Sequence, residues 1–226
     1  MQFTQLLRLM CLALLALTNV VWAAQPPNFV VVLADDLGYA DVGFHGCKDI
    51  PTPHLDRLAA SGVRCAAGYV SHSFCSPTRA GLMTGRYQHR FGHEHNPPYA
   101  PDDLTIGLPT TETTIAEMLT QRGYATGLIG KWHLDAAPPF HPLRRGFQEF
   151  FGFVGGGHRY FPDAWTGTSE YTTPLERNGQ PVRETEYLST ALGREASAPV
   201  ERHSSRPSFS ILPLMRPTRR SKRPRR

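Results

Sequence analysis

Four short polar clusters contain the side chains most suited to chemistry, and each lies where a predicted strand ends, a predicted helix begins or a glycine-rich loop runs. Adjacent carboxylates, a thiol close to a guanidinium and an ammonium close to an imidazole together have the composition of a metal site that cleaves an anionic group. The clusters are Asp35-Asp36, Cys75-Ser76-Pro77-Thr78-Arg79, Lys131-Trp132-His133, and His158 behind three glycines.

Asp35 and Asp36 follow directly on a β-branched, apolar run. Neighbouring carboxylates repel each other unless a cation holds them, and hard oxygen ligands favour calcium or magnesium over zinc. A helix-capping aspartate beside a solvated one is an alternative that the pair alone leaves open.

The segment from Cys75 to Arg79 predicts the start of a helix, because Pro77 fits the first helical turn. Cys75 is then expected at the positive end of that helix, where an anion is stabilised. Arg79, one turn on, is permanently charged and can bind oxygen anions with both of its terminal nitrogens. A buried cysteine that happens to precede a helix is the alternative interpretation.

The elements that must position these clusters alternate between strands and helices. The run 28–33 predicts a strand buried on both faces, and ligands gather at the C-terminal ends of such strands. The order of elements predicts an α/β fold, with a mainly parallel sheet flanked by helices. The other predicted elements are helices at 52–62 and 113–122 and strands at 63–70 and 124–129.

Beyond Pro138 the chain becomes rich in glycine, proline and aromatic residues, which predicts long loops over a site. His158 lies in the glycine-rich part of this region and is the candidate substrate-binding histidine. Other histidines have no spacing that pairs them with a second ligand, and we expect them on the surface or in loops; they are His54, His89, His93, His95 and His141.

Residues 1–23 predict a secretory signal peptide. Arg8 precedes the uncharged, mostly apolar run 9–21, and Ala23 supplies the small residue that a cleavage site requires. The run is shorter than the roughly 20 residues that span a bilayer, which argues against the alternative of a membrane anchor. We therefore expect a secreted or periplasmic chain without a stable membrane anchor.

Three cysteines remain after the signal peptide, namely Cys47, Cys65 and Cys75. An odd number in an exported protein indicates at least one thiol with a role other than pairing, and Cys75 is the candidate. Cys47 and Cys65 have two open alternatives, a disulfide or burial as thiols.

Three stretches resemble the formylglycine-dependent sulfatase family. Cys75–Arg86 resembles the family signature, Asn28–Gly38 is similar to its opening strand, and Gly123–Leu134 matches its second signature. The likeness runs from about residue 28 to residue 194 with the family's order and spacing. It implies an alkaline-phosphatase-like sandwich and a hydrolase of sulfate esters, either aryl sulfates or sulfated carbohydrates.

The resemblance also implies roles for individual residues. A maturation enzyme would convert Cys75 to formylglycine, and Asp35, Asp36 and the modified residue would bind a metal, usually calcium. Arg79 and Lys131 would hold the formylglycine hydroxyls and the sulfate oxygens. His133 would contact the hydrated aldehyde, in which one hydroxyl attacks sulfur and the other later expels sulfate as the imidazole takes its proton.

Two rival functions stay open from the sequence. One is a phosphodiesterase or phosphonate hydrolase on the same fold. The other is a basic binding protein, because residues 202–226 hold nine of the 24 lysines and arginines and no acid, whereas residues 1–201 carry 15 basic and 19 acidic side chains, a net charge of −4. The basic segment lacks interleaved aromatic residues beyond Phe209, so we expect no nucleic-acid partner.

We predict instead that this basic segment is a frameshift product. Codons permitted for Leu212–Ser221, when read two bases on, encode Asn-Ala-Pro-His-Thr-Pro, which resembles the family's next conserved block. The sequence thus predicts a signal peptide (1–23), the N-terminal part of a catalytic domain (24–201) and a disordered, out-of-frame tail (202–226). The family's later metal ligands and a further substrate lysine are then absent, and we expect an inactive fragment.

Overall fold

The computed structural model describes residues 26–161, 171 and 173–215. One six-stranded sheet has the order β1-β6-β2-β3-β4-β5. Its strands are β1 (Phe29–Asp35), β2 (Ala125–Lys131), β3 (Glu149–Phe153), β4 (Leu175–Arg177), β5 (Gln180–Val182) and β6 (Ser208–Met215). The α-helices of the described part are α1 (Pro53–Ser61), α2 (Cys75–Thr84), α3 (Ile115–Thr120) and α4 (Leu188–Arg202). The predicted signal peptide and residues 216–226 lie outside this description.

The sheet is mainly parallel, as the order of elements predicts. β1, β6, β2 and β3 run parallel to one another, while β4 pairs antiparallel with both β3 and β5. Parallel strands present their C-terminal ends at one edge of a sheet. Asp35 at the end of β1 and Lys131 at the end of β2 therefore reach the same edge.

β1 differs from its prediction as a strand buried on both faces. It is an edge strand that pairs only with β6 among the described residues, and Phe29, Val30 and Val32 are 44%, 50% and 51% exposed. A continuous apolar run indicates that both faces of a strand favour burial. It does not indicate whether another strand pairs with each of its two edges.

The prediction of a disordered tail at 202–226 is wrong for residues 202–215. Arg202 ends helix α4, and β6 inserts between β1 and β2 with Val31 opposite Ile211 and Gly127 opposite Ser210. Apolar residues alternate with serine where β6 starts, and the buried side chains of Phe209 and Ile211 fill the core. Burial of those side chains stabilises the strand, whatever the arginine content of the residues that follow.

The core lies on both sides of β2. One cluster contains Leu128, Trp132, Phe147, Phe150 and Phe209, and a second contains Ile129, Phe151, Phe153, Leu175, Leu188 and Leu192. Every residue of β2 is buried. The strand that ends at Lys131 is consequently the most firmly held element near the predicted chemistry.

Helix α1 begins with Pro53 as its first residue and ends before Gly62, as predicted. Helix α3 is shorter than its predicted range and starts at a capping box in which Thr114 and Glu117 bond each other's backbone N–H groups. The predicted strand at 63–70 is wrong: this segment contains a turn, and Val63 and Tyr69 are 96% and 91% exposed. Apolar residues there have no described strand to pair with.

Two glycines permit close backbone approaches that position the site. Gly130 has φ +128°, and a Cβ there would lie 2.3 Å from the carbonyl oxygen of Pro213 in β6. Gly146 has φ +89°, and a Cβ there would lie 2.2 Å from the backbone nitrogen of Glu117 in α3. Side chains are excluded at both positions by contact and by backbone conformation.

The described cysteines Cys47, Cys65 and Cys75 are all free thiols, so the structure does not contain the 47–65 disulfide. Cys47 is half-buried and Cys65 is exposed. No helix in the described part combines the length and the apolar character needed to cross a membrane.

The placement of β6 predicts that Phe209→Ala destabilises the protein by about 3–5 kcal/mol, because the change leaves a cavity in the core. Urea unfolding followed by circular dichroism measures this loss, and Ile211→Val, expected to cost about 0.5–1.5 kcal/mol, serves if the alanine variant does not fold. Phe161→Ala, at a position that is 65% exposed, is the matched control. Equal unfolding midpoints for all variants would mean that residues 208–215 are not part of the sheet.

Candidate active site

Asp35 joins the elements of the site. Its carboxylate oxygen Oδ2 lies 2.6 Å from the guanidinium of Arg79 and 3.1 Å from Nζ of Lys131. Burial alone would raise the pKa of Asp35, but the positive charges of Arg79 and Lys131 outweigh it and hold that pKa well below the usual range. The carboxylate is therefore ionised across the physiological pH range.

Asp36 has the opposite electrostatic environment. It is exposed, and its pKa is raised by a hydrogen bond with Asp35, by partial burial and by the negative charge of Asp35. Oxygen atoms of both carboxylates and Sγ of Cys75 lie within 4.8 Å of one another, with Sγ 3.9 Å from Oδ1 of Asp35. The two aspartates and Cys75 thus converge on one point, as the sequence predicts.

This donor set fits a hard divalent cation. Asp35 raises the proton affinity of Asp36, and two such neighbouring carboxylates are held together at lower cost when a cation lies between them. Oxygen donors favour calcium or magnesium, whereas a single thiol with two carboxylates is not the closed set of a structural zinc site. In the mature protein that the resemblance implies, formylglycine oxygens would replace the Cys75 sulfur and make the set all-oxygen.

Arg79 is fixed on two sides. It is 4% exposed, and its guanidinium donates to the backbone carbonyl of Lys131 at 2.6 Å as well as to Asp35. Burial lowers the pKa of Arg79 while the Asp35 carboxylate raises it. Since Lys131 is also only 3% exposed, two rigidly held cations flank the carboxylate, and they are suited to bind oxygen anions.

Helix α2 starts at Cys75, but its first N–H groups have partners within the chain. The N–H of Ser76 donates to Oδ1 of Asn96 at 2.9 Å, Pro77 has no N–H, and the N–H of Thr78 donates to the carbonyl of Phe74 at 3.2 Å. An anion beside residue 75 is therefore bound by side-chain cations more than by the backbone groups that the helix position alone predicts.

His93 lies in a loop, one of the two places expected, but it is 6% exposed and supports the start of helix α2. Its Nδ1 lies 3.1 Å from the carbonyl of Gly107, and its Nε2 lies 2.7 Å from Oγ of Ser76. A carbonyl only accepts, so Nδ1 donates and Ser76 donates to Nε2. The positions of His93 and Asn96 in the sequence do not reveal these roles, because their contacts with Ser76 arise from tertiary packing.

His133 follows β2 and is 5% exposed. Burial, followed by the charges of Lys131 and Arg79, lowers the pKa of its imidazole to about 3. The ring is therefore neutral at physiological pH, and it can act as a base only when an anion offsets these positive charges. The structure brings His133 to the same sheet edge as Lys131, as the sequence predicts.

His158 lies beside two backbone carbonyls. It is 7% exposed, and its ring nitrogens lie 2.8 Å from the carbonyl of Arg159 and 3.0 Å from that of Thr173. Burial lowers the pKa of His158. These contacts hold the imidazole within its own loop, so its predicted role in substrate binding stays a prediction.

A cavity of about 170 Å³ opens in front of the converging groups. Asp35, Asp36, Cys75 and Arg79 line its polar side, and His72, Ser73 and Phe74 line the rim just before helix α2. The sequence analysis did not single out these rim residues, because nothing in their types sets them apart from an ordinary loop. The cavity gives an anion access to the side chains at the sheet edge.

The sequence and fold resemble those of known proteins over most of the described chain. Residues 27–218 match the family model for sulfatases. The chain is 43% identical over 140 residues to pig N-acetylgalactosamine-6-sulfatase and 47% identical over 141 residues to human arylsulfatase A, matches that cover 59% and 62% of this chain and 27% of each relative. It thus spans about a quarter of the length of these relatives.

Solved structures agree with this relationship. The crystal structure of Ps i-CgsB is 45% identical with a TM-score of 0.80 and covers 85% of this chain and 46% of that one. Its complex with k-i-k-neocarrahexaose matches with a TM-score of 0.79 at 44% identity, covering 85% of this chain and 46% of that one. The alkaline-phosphatase-like α/β fold predicted from the sequence is confirmed, and the likeness extends past residue 194. The chain belongs to the sulfatase family.

Proposed function

We propose that this site belongs to a sulfuric ester hydrolase that uses formylglycine made from Cys75 and a divalent cation, calcium in the first instance. The observation that carries the proposal is the Asp35 carboxylate, which contacts both Arg79 and Lys131 beside residue 75. Two buried positive side chains beside a carboxylate that can hold a cation, all next to a nucleophile, are suited to an anionic ester.

The side chains divide the work of the reaction. Arg79 and Lys131 bind the oxygens of the ester sulfate, and their fixed positions stabilise its charge as the ester bond breaks. His133, neutral because of its burial, is the residue proposed to take a proton from residue 75 once bound sulfate offsets the charges of Lys131 and Arg79. Asp35 and Asp36 hold the cation, which when bound adds further positive charge against the sulfate oxygens. A hydrated aldehyde at residue 75 offers two hydroxyls on one carbon, one to attack sulfur and one to release sulfate.

Sulfated carbohydrates are the proposed substrates. The names of pig N-acetylgalactosamine-6-sulfatase and of the CgsB complex with an oligosaccharide both point to sugars. Aryl sulfates remain useful as probes, since they need only the sulfate-binding groups. The same proposal includes export of the chain, directed by the signal peptide at residues 1–23. A maturation enzyme would meet the chain during that export.

Conversion of Cys75 is the first expected outcome, when the chain is produced in a host that matures other sulfatases. Trypsin releases the peptide from Cys65 to Arg79, which contains two cysteines. After alkylation, mass spectrometry is expected to find an alkyl group on Cys65 and an aldehyde in place of the thiol at residue 75, so Cys65 is an internal control. Two alkylated cysteines in such a host would contradict the proposal.

Loss of either carboxylate is expected to weaken calcium binding, because the site loses one of its charged oxygen ligands. Isothermal titration calorimetry of Asp35→Asn and Asp36→Asn tests this, with Asp49→Asn, an exposed carboxylate elsewhere, as the matched control. We expect at least about a tenfold rise in Kd for the first two variants and no change for the control. The same calcium affinity in all four proteins would exclude these residues as ligands.

Turnover by the 226-residue chain is a separate question. The described ligands number three, while calcium takes 6–8 oxygens, and we predict no hydrolysis of nitrophenyl sulfate at ordinary enzymatic rates of about 1–10³ s⁻¹. Turnover in that range would refute the predicted inactivity and would support the proposed chemistry. Turnover of nitrophenyl phosphate in preference to the sulfate would favour the phosphodiesterase or phosphonate hydrolase alternative.

A further inference from the structure

Asp135 is a buried acid that the proposed reaction does not use. It lies two residues beyond His133, is 4% exposed, and has φ +91°, a left-handed conformation that side chains other than glycine rarely adopt. The positive φ and the burial of the carboxylate each lower the stability of the folded protein. A residue that lowers stability in both of these ways invites a functional explanation.

The two oxygens of Asp135 differ. Oδ1 accepts a hydrogen bond from the N–H of Ala136, whereas Oδ2 is buried and has no hydrogen-bond partner among the described residues. Burial raises the pKa of Asp135, although hydrogen bonds from the N–H groups of Ala136 and Ala137 lower it in part. An acceptor of this kind gains free energy when a donor reaches it.

The side chain is also held in place. Gly107 packs so closely that a Cβ built on it would lie 2.7 Å from Cβ of Asp135 and 3.1 Å from Oδ2. A carboxylate with so little room keeps its direction, and it is therefore suited to orient a ligand.

The surroundings place Asp135 beside the reaction centre. Asp135 and His133 line one small cavity, together with Tyr99 and the backbone turn at 154–156. His133 in turn lies close enough to Lys131 and Arg79 for their charges to lower its pKa. The cavity therefore shares His133 with the surroundings of the two proposed sulfate-binding cations, and its volume of about 10 Å³ has room for about one water molecule.

We propose that Oδ2 of Asp135 accepts a hydrogen bond from one water molecule, which in turn accepts a hydrogen bond from a hydroxyl of the sugar that carries the scissile sulfate. Sulfate oxygens are negative and are repelled by this carboxylate, so the group it recognises is a donor on the remainder of the substrate. Simple aryl sulfates lack such a donor. The inference rests on the proposed function and deepens it, because it makes Asp135 a determinant of carbohydrate specificity.

Binding measurements on the full chain in calcium test this assignment without requiring turnover. The three ligands are inorganic sulfate, 4-nitrophenyl sulfate and N-acetylgalactosamine 6-sulfate, each titrated by calorimetry. Asp135→Asn keeps the shape but replaces the acceptor by a donor, and we expect about a tenfold weaker Kd for the sugar sulfate alone. Asp135→Gly, which tolerates the positive φ, is expected to show the same selective loss.

Asp103→Asn is the matched control, since this neighbouring carboxylate bonds only to Thr105 in the described chain, and all three affinities are expected to stay unchanged. An unchanged sugar-sulfate affinity in both Asp135 variants, or an equal loss for all three ligands, overturns the inference while the sulfate site stands. Failure of the unaltered chain to bind any of the three ligands would contradict the proposed function and the inference with it.

Discussion

The contact of one carboxylate with two buried cations is the interaction on which the rest of this structure depends. Asp35 ends β1, Lys131 ends β2 and Arg79 lies in the second turn of helix α2, so their meeting fixes three elements relative to one another. Removal of one partner from a buried ion pair leaves an unpaired charge, which costs about 3–5 kcal/mol. The same charges that bind an anion therefore also hold the strands and the helix together.

Burial and neighbouring charges together set the protonation of each group around that contact. Arg79 and Lys131 keep Asp35 ionised, while Asp35 raises the proton affinity of Asp36. His133 is kept neutral by burial and by the same two cations. A site that contains two fixed positive charges, a neutral imidazole and a pair of carboxylates suits a negatively charged ester.

The sequence predicted the α/β class and the cluster of Asp35, Asp36, Cys75, Arg79, Lys131 and His133, because strand ends and a helix start are local signals with a shared destination in a parallel sheet. It failed at β6, where proline within the strand and arginines after it disguised a central strand. Local composition does not reveal that β1 and β2 need a strand between them. For the same reason the burial of His93 and the roles of Asn96 and Asp135 were not predicted, since they depend on contacts with residues distant in sequence.

A crystal of the matured chain soaked with calcium and sulfate would test the central claim most directly. The anomalous difference map is expected to show calcium between Asp35, Asp36 and residue 75, with sulfate oxygens in contact with Arg79 and Lys131. Calcium bound elsewhere, or a sulfate that contacts neither cation, would contradict the claim that these side chains form a cation-assisted site for sulfate esters.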